Sequence, residues 1–436
     1  MATIDMASEM LDIGSAISDD NSIESYEFRE YESQNPAAIN NGQAIQIDIQ
    51  NQDIFTQPSK SYLLVEGRLE STAAAYVAAT LVTLINNAIP YMFSQIRYLA
   101  NNTEIENLAS PGQATTMKGM LVYGDDFAKG EGLNMCWQKD ATAAAANANI
   151  GFAARRTMII TRPDPIGTFS FVIPLRHLFG FCDDYHRVVY GIKHSLLLSR
   201  QADADAIFKT NAGDGAAVVD GRITLSKLSW FMPHVIPALE YKSMLMKQIE
   251  AKVKIPVAFR AMQCDNISVP QATTFSWRLS VKSGTEKPRW ILVAFQTGKT
   301  ASQVQNPALF DHVQVRNIYA MLNSDRYPVV DMNLDFTAMK ISRAYKALRD
   351  FKEEFCGIDG RESSCQVTPI DFVDFFPIFV LDVRRQSERL KTTTQDIQIK
   401  VNFDAAVPAN TSAYAVLISD RLLKLESDGS KFNVVY

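Results

Sequence analysis

Ile397-Gln398-Ile399-Lys400-Val401-Asn402-Phe403 carries an apolar side chain at every second position. Successive side chains of a β-strand point to opposite faces, so the run predicts a strand with one buried face and one wet face. Phe275, Trp277, Leu279 and Val281 repeat the pattern between Thr274, Ser276, Arg278 and Ser280. Ile45, Ile47 and Ile49 repeat it against Gln46, Asp48 and Gln50. One wet face per strand suits antiparallel sheets. Further strands are predicted near 61–70, 91–99, 168–176, 189–199, 222–232, 254–263, 288–296, 313–322, 370–382 and 413–420. Within 222–232 the period slips. Ile223 and Leu225 share one parity while Leu228 and Trp230 share the other, which predicts a β-bulge.

Helices are few. Residues 239–253 place Tyr241, Leu245, Ile249 and Val253 at i, i+4 spacing between Pro237 and Pro256. Residues 340–355 align Ile341, Tyr345, Leu348 and Phe355, and residues 110–123 open on Ser110-Pro111, an N-cap followed by proline. The order of elements repeats. A strand ending Ile96-Arg97-Tyr98-Leu99 turns at Asn101-Asn102, and one ending Ile318-Tyr319-Ala320-Met321-Leu322 turns at Asn323-Ser324. Each leads to a helix and then to an apolar strand with a proline, Pro174 or Pro377. This order points to two β-domains of one plan, hinged by the 239–253 helix. About 200 residues per domain suits an eight-stranded jelly roll with generous loops.

The expected class is therefore all-β, a double jelly roll of two eight-stranded antiparallel sandwiches with a few short helices. The divisions expected are an acidic extended arm over 1–40, a first jelly roll over 41–238, the connecting helix 239–253 and a second jelly roll over 254–436. The arm stands out by charge. Residues 1–55 hold eleven acids and one base, Arg29, whereas the other 381 residues hold 42 bases and 37 acids. The whole chain of 436 residues balances at −5, which excludes a strongly basic coat for nucleic acid. The five cysteines (Cys136, Cys182, Cys264, Cys356, Cys365) are scattered and form no CxxC. Together with an acidic N-terminus unlike a signal peptide, they predict free thiols in a reducing compartment. The sequons at Asn101, Asn266 and Asn410 are then chance matches. The uncharged stretch 71–96 is broken by Asn86, Asn87 and Pro90, so a loop and strand is expected there rather than a membrane span.

No motif carries chemistry. Gly298-Lys299-Thr300 looks like the end of a phosphate loop, but Val293 stands where the cradle needs glycine. His177, His186, His194, His234 and His312 show no HxH, HxxxH or HExxH spacing, which argues against a metal-dependent cupin. Asp183-Asp184-Tyr185-His186 is the densest group of ligand types, and a solvated loop between strands is the expected reading. Asp203, Asp205, Asn211 and Asp214 lie in a Gly/Ala-rich stretch, 201–221, where Ile207 breaks the calcium-loop spacing; a flexible surface loop is expected. The run Phe372-Val373-Asp374-Phe375-Phe376-Pro377-Ile378-Phe379 has few cations among its rings, so core or subunit interface is expected rather than base stacking. Catalytic, cofactor and metal residues are all expected to be none.

Five stretches resemble the major capsid proteins of Maverick/Polinton elements, virus-like DNA elements of animal genomes. They are 86–99, 225–237 (Leu-Ser-Lys-Leu-Ser-Trp-Phe-Met-Pro-His-Val-Ile-Pro), 287–297 (Lys-Pro-Arg-Trp-Ile-Leu-Val-Ala-Phe-Gln-Thr), 310–328 and 413–429. The resemblance covers about residues 60–436. It implies a non-enzymatic shell protein: two jelly rolls per chain, a homotrimer forming a pseudo-hexameric capsomer, and capsomers tiling an icosahedral capsid. Implied partners are neighbouring capsomers, a minor (penton) capsid protein and enclosed double-stranded DNA without sequence-specific contacts. The implied location is the virion, after synthesis in the host cytoplasm and assembly there or in the nucleus. Loops 127–167 and 201–221 are expected on the outer crown or at the trimer centre, and the acidic arm against a neighbouring subunit or minor capsid protein. The competing class is a jelly-roll carbohydrate- or ligand-binding module, or a capsid-like protein retained by a host.

Overall fold

The computed structural model describes residues 22–35, 39–40, 42, 44–50, 54–211, 218–280, 287–359, 363–386, 396–427 and 432–435. Eight principal strands build the first half: β1 (Ile23–Glu32), β2 (Ala44–Ile49), β3 (Tyr62–Ser71), β4 (Phe93–Ala100), β5 (Thr103–Ala109), β6 (Thr168–Pro174), β7 (His194–Arg200) and β8 (Gly221–Pro237). Eight more build the second: β9 (Lys254–Ser268), β10 (Thr274–Arg278), β11 (Lys287–Thr297), β12 (Val315–Leu322), β13 (Asp325–Tyr327), β14 (Phe379–Asp382), β15 (Ile397–Phe403) and β16 (Thr411–Ser427). Hydrogen bonding joins the first set as β1-β8-β3-β6 and β2-β7-β4-β5. It joins the second as β9-β16-β11-β14 and β10-β15-β12-β13. The two orders are identical under the shift of eight, and every pairing is antiparallel. Each half is a jelly-roll sandwich.

The alternation seen in the sequence faces inward as expected. Ile45, Ile47 and Ile49 are buried on β2, and Ile397, Ile399, Val401 and Phe403 on β15. The slipped period of β8 is a bulge: Leu225 pairs Gly67 and Lys227 pairs Glu66, leaving Ser226 as the extra residue. Ile223, Leu225, Leu228 and Trp230 thereby all reach the core. Asn101 and Asn102, at φ 48 and 65, form the two-residue turn of the β4–β5 hairpin. Asn323, at φ 53, helps turn β12 into β13.

After each hairpin comes a helix, α1 (Pro111–Val122) in the first half and α3 (Ser342–Cys356) in the second, with α2 (Leu239–Glu250) between the halves. α3 buries Ala344, Leu348, Phe351 and Phe355 as one stripe. α2 departs from expectation. Ile249 is buried and Leu245 half-buried against the core, while Tyr241, and Val253 just beyond the helix, stay exposed, so only the middle of the anticipated stripe is covered by this chain.

Other expectations need correction. The supposed arm contains β1, which pairs in register with β8 from Glu32–Ser229 to Ser25–Ile236 and, after a bulge, at Ile23–Pro237, so this part of it is a strand of the first sheet. Residues 1–21 lie outside the described residues. Residues 370–382 are not one strand: Thr368 and Asp371 form a capping box around Pro369, giving α4 (Pro369–Asp374) before β14. Residues 189–199 divide at Gly191 (φ 65) into a short strand, Val189–Tyr190, and β7. In 71–96 lie a short strand, Val82–Leu84, a helical turn at Ala88–Tyr91 and the start of β4. Among the described residues no helix is long and apolar enough to cross a membrane.

Two outcomes test this architecture. Deleting Ser226 removes the bulge and turns either Ile223 and Leu225 or Leu228 and Trp230 to solvent; soluble yield and the cooperative thermal transition should both be lost. Deleting residues 1–36 strips β1 from β8, and static light scattering should report aggregation through the bared strand edge.

Candidate functional site

The densest polar chemistry lies on the seam between the sandwiches. Glu106 on β5 is buried, and its carboxylate accepts the backbone N–H groups of Gly180 (3.1 Å), Phe181 (2.7 Å) and Met262 (3.1 Å). Gly180 and Phe181 open the short helix Gly180–Asp184 of the first half, whereas Met262 lies on β9 of the second. Asp184 acts in the same way two residues along β9. It accepts the Arg260 backbone N–H at 2.7 Å and the Arg260 Nε at 2.9 Å. Alternate residues of a strand direct their N–H groups to one side. Two carboxylates of the first half therefore satisfy the edge donors of β9 that its partner β16 does not reach.

Cations and rings close around this edge. Arg421 on β16 donates to the Ile105 carbonyl beside Glu106. The Arg260 guanidinium lies 3.8 Å from the centre of the Phe355 ring and donates to the Phe355 carbonyl. Phe181 meets Phe259 edge-on at 5.5 Å. Gly180 is required here, since a Cβ would run into the Arg260 carbonyl oxygen. Burial pushes the Glu106 carboxyl up to about 7, against the pull of its three backbone donors and Arg421.

A second locus clasps the halves from the segment 127–167. Arg155 and Asp140, both buried, pair at 2.7 and 2.9 Å, and Asp140 also accepts Asn306 Nδ2 at 2.8 Å from the second half. Trp137 Nε1 donates to Gln366 Oε1 at 3.2 Å, and Lys139 pairs with Asp371 at 2.8 Å. The segment expected as a crown loop is thus a folded bracket, with the helix Ile150–Arg156 inside it.

Most of the residues weighed for chemistry have a structural partner or a place in the core. Lys299 donates to Asp311 (2.7 Å) and to the Leu309 carbonyl. His194 bonds Thr56 and Tyr98, His177 bonds Tyr123 and Asn87, and burial drives both imidazoles down to about 3, so they stay neutral. His234 bonds Tyr31, and His312 stacks on Phe336 at 4.4 Å. The His186 carbonyl accepts from Gln57. Asp183 and Asp184 are not in a solvated loop: Asp183 pairs with Lys118 at 2.8 Å, and Asp184 holds β9. Asp203 pairs with Arg200 and accepts the Ile223 N–H, while Asp205 accepts the Ala301 N–H. These ties replace the expected flexible loop over 201–211; Asn211 is exposed and Asp214 lies outside the described residues. Phe372, Phe376 and Phe379 are core, as expected. All five cysteines are free. Among the described residues no three His, Cys, Asp or Glu side chains converge on a metal position.

Some large apolar side chains stay uncovered. Tyr26 and Phe28 are 41% and 47% exposed on β1, and Phe28 continues through Tyr62 to Phe231 as a ladder of rings at 5.5 and 5.0 Å. Val329 and Val330, just after β13, are 76% and 62% exposed.

Comparison with known proteins agrees with this architecture. The family model described as a double jelly roll-like domain matches residues 82–423. No curated protein matches the chain in sequence. Among solved structures, the Sputnik virophage protein aligns over 100% of this chain and 93% of its own, at TM-score 0.58 and 10% identity. The mavirus major capsid protein aligns over 98% and 93%, at 0.57 and 10%. A chain of the PBCV-1 virus capsid aligns over 97% and 99%, at 0.55 and 11%. At such identities the likeness establishes the fold.

The seam yields a measurable pair of effects. Glu106→Leu leaves three buried N–H groups without an acceptor and should lower unfolding free energy by about 3 kcal/mol or more in urea titrations. Because the folded carboxyl titrates near 7, above its unfolded value, the folded state binds the extra proton between about 4.5 and 7. Stability from this group is then full below that window and falls as pH rises through it. Glu106→Gln, which cannot titrate, should flatten the slope.

Proposed function

The chain belongs to the double jelly roll-like domain family, and from that premise we propose that it is a major capsid protein of the Maverick/Polinton type. It trimerises into pseudo-hexameric capsomers, which tile an icosahedral shell around double-stranded DNA. The observation that carries this reading is the duplication itself. Two sandwiches of one strand order are held in a fixed relation by the half-buried ion pairs Lys139–Asp371 and Asp184–Arg260, the Asn306–Asp140 hydrogen bond and the capped edge of β9. Such a body is a rigid pair of equivalent tiles, and three copies supply six tiles around an axis.

Further support comes from the PBCV-1 virus capsid and the mavirus major capsid protein, whose solved structures this chain matches over nearly its full length. The histidines and carboxylates described above hold the fold, which supports a structural rather than a catalytic role. Neighbouring capsomers and a minor penton protein are the proposed partners, and the virion is the proposed location. With the chain at −5 overall, DNA is enclosed without base-specific contacts. We assign the first jelly roll to the strands from Ile23 to Pro237 and the second to those from Lys254 onward.

The purified chain should elute as a trimer in size-exclusion chromatography with light scattering, and negative-stain electron microscopy should show hexagonal capsomers or closed shells. A stable monomer with no particles at any concentration would refute the capsid reading.

A further inference from the structure

The two halves share a strand order but not their histidines. His177, His194 and His234 are buried in the first half, whereas the second holds only His312, which is half-buried. Each buried ring meets a tyrosine hydroxyl: His177 meets Tyr123 at 2.8 Å, His194 meets Tyr98 at 2.8 Å and His234 meets Tyr31 at 2.9 Å. The rings also join separate parts of the half. His194 on β7 bonds Tyr98 on β4 of its own sheet and Thr56 of the short strand Phe55–Thr56, which belongs to the facing sheet. His234 joins β8 to β1, and His177 joins the helical turn Leu175–Leu178 to the end of α1 and to Asn87. His312 instead accepts the Gln314 N–H at 3.1 Å, a contact within its own loop.

The hydrogen bonds leave no place for a second proton on these rings. Asn87 gives its amide protons to Thr115 and Thr116, so its carbonyl oxygen accepts the His177 Nε2–H at 3.0 Å, and Nδ1 accepts from Tyr123. Thr56 gives its hydroxyl proton to the Val189 carbonyl and accepts the His194 Nε2–H at 2.9 Å, so Nδ1 accepts from Tyr98. A proton added at either Nδ1 would point at the tyrosine O–H, and neither hydroxyl has another acceptor among the described residues. His234 Nδ1 is buried without a partner, so an N–H on it beside a bonded Nε2 would stay unsatisfied. The surroundings add to this. Lys118 and Arg176, paired with Asp183 and Glu131, face His177. His194 and His234 face each other, Glu106 and Cys182 face Tyr98, and Arg29 and Glu27 face His234 from β1. Burial, helped by these like charges, holds His177 and His194 at about 3 and His234 below its ordinary value.

We propose that the first sandwich is an acid-triggered switch, which opens in mildly acidic surroundings by taking protons on His177, His194 and His234 while the second sandwich stays closed. The direction follows from linkage. An imidazole freed by opening titrates at its ordinary 6.5, whereas the buried ring does not, so opening takes up protons below that pH. Stability from these rings is full above about 6.5 and falls as pH drops. At pH 5 each of His177 and His194 favours the open form about 25-fold more than at pH 7. Glu106 shifts the opposite way, so acid keeps the seam between the sandwiches closed while it loosens the interior of the first. The switch goes beyond the capsid reading and does not rest on it, since a lone chain and a shell carry the same rings.

Hydrogen–deuterium exchange of the full chain at pH 7 and pH 5, corrected for the intrinsic exchange rate at each pH, tests it. Protection factors of peptides over β4, β7 and α1 should fall at pH 5, and those over β12 and β15 should hold. Glutamine offers one donor and one acceptor but takes no charge. In the His177→Gln and His194→Gln variants the acid-induced fall should therefore shrink by about 25-fold for each ring replaced. Should a variant fail to fold, carbon-13 NMR of the histidine-labelled native chain gives a second readout: the signals of His177 and His194 should stay those of neutral rings until the first half opens. Protection that holds in both halves at pH 5 or falls equally in both overturns the switch. So does a folded variant as acid-sensitive as the native chain, or a ring of the folded protein that titrates near 6.5.

Discussion

A strand at the edge of a sheet presents backbone donors that must find acceptors once water is excluded. The edge of β9 finds them in the side chains of Glu106 and Asp184, which belong to the other sandwich. Backbone pairing across the same edge would have produced one continuous sheet. Capping by carboxylates instead lets two sandwiches abut as separate bodies while leaving no orphaned N–H at Arg260 or Met262. The apolar core runs through the contact, so Phe181 and Phe259 are buried from opposite halves. Directional acceptors fix the register of that contact, and burial of rings supplies its driving force.

The duplication is strict in strand order and loose in everything attached to it. The first half carries the folded bracket around Trp137 and Arg155 between β5 and β6; the second carries α3 and α4 at the corresponding place. In the first half the short strand Phe55–Thr56 pairs with the end of β8. In the second half Phe432–Val435, only a few residues past β16 in the sequence, pairs with the end of that strand. Sheets have tolerated little change because a one-residue slip would turn a core face outward. The additions lie where chain could be inserted without disturbing that register.

Much of the sandwich was legible because alternation reports burial directly. β2, β10 and β15 could be read from their apolar parity, and the bulge in β8 from its change of parity. One strand escaped detection because its burial comes from the second sandwich. β5, Thr-Glu-Ile-Glu-Asn-Leu-Ala, reads as polar, since a glutamate in its middle predicts solvent. Glu106 is buried because backbone donors from two other segments converge on it, and no local pattern announces that. β1 was hidden for the opposite reason: it is mostly exposed, so its glutamates read as an arm. For the same reason Asp183-Asp184 looked like a wet loop, although its partners Lys118 and Arg260 are 65 and 76 residues away. Thr368-Pro369 was a local signal for α4, overshadowed by the aromatic run that follows it.

The folded bracket of 127–167 exists once per polypeptide, although the sandwich beneath it exists twice. Anything that recognises its outer surface, whether an antibody, a receptor or a cementing protein, counts molecules rather than sandwiches. Decoration of a six-lobed tile built from this protein would therefore saturate at three, on every other lobe.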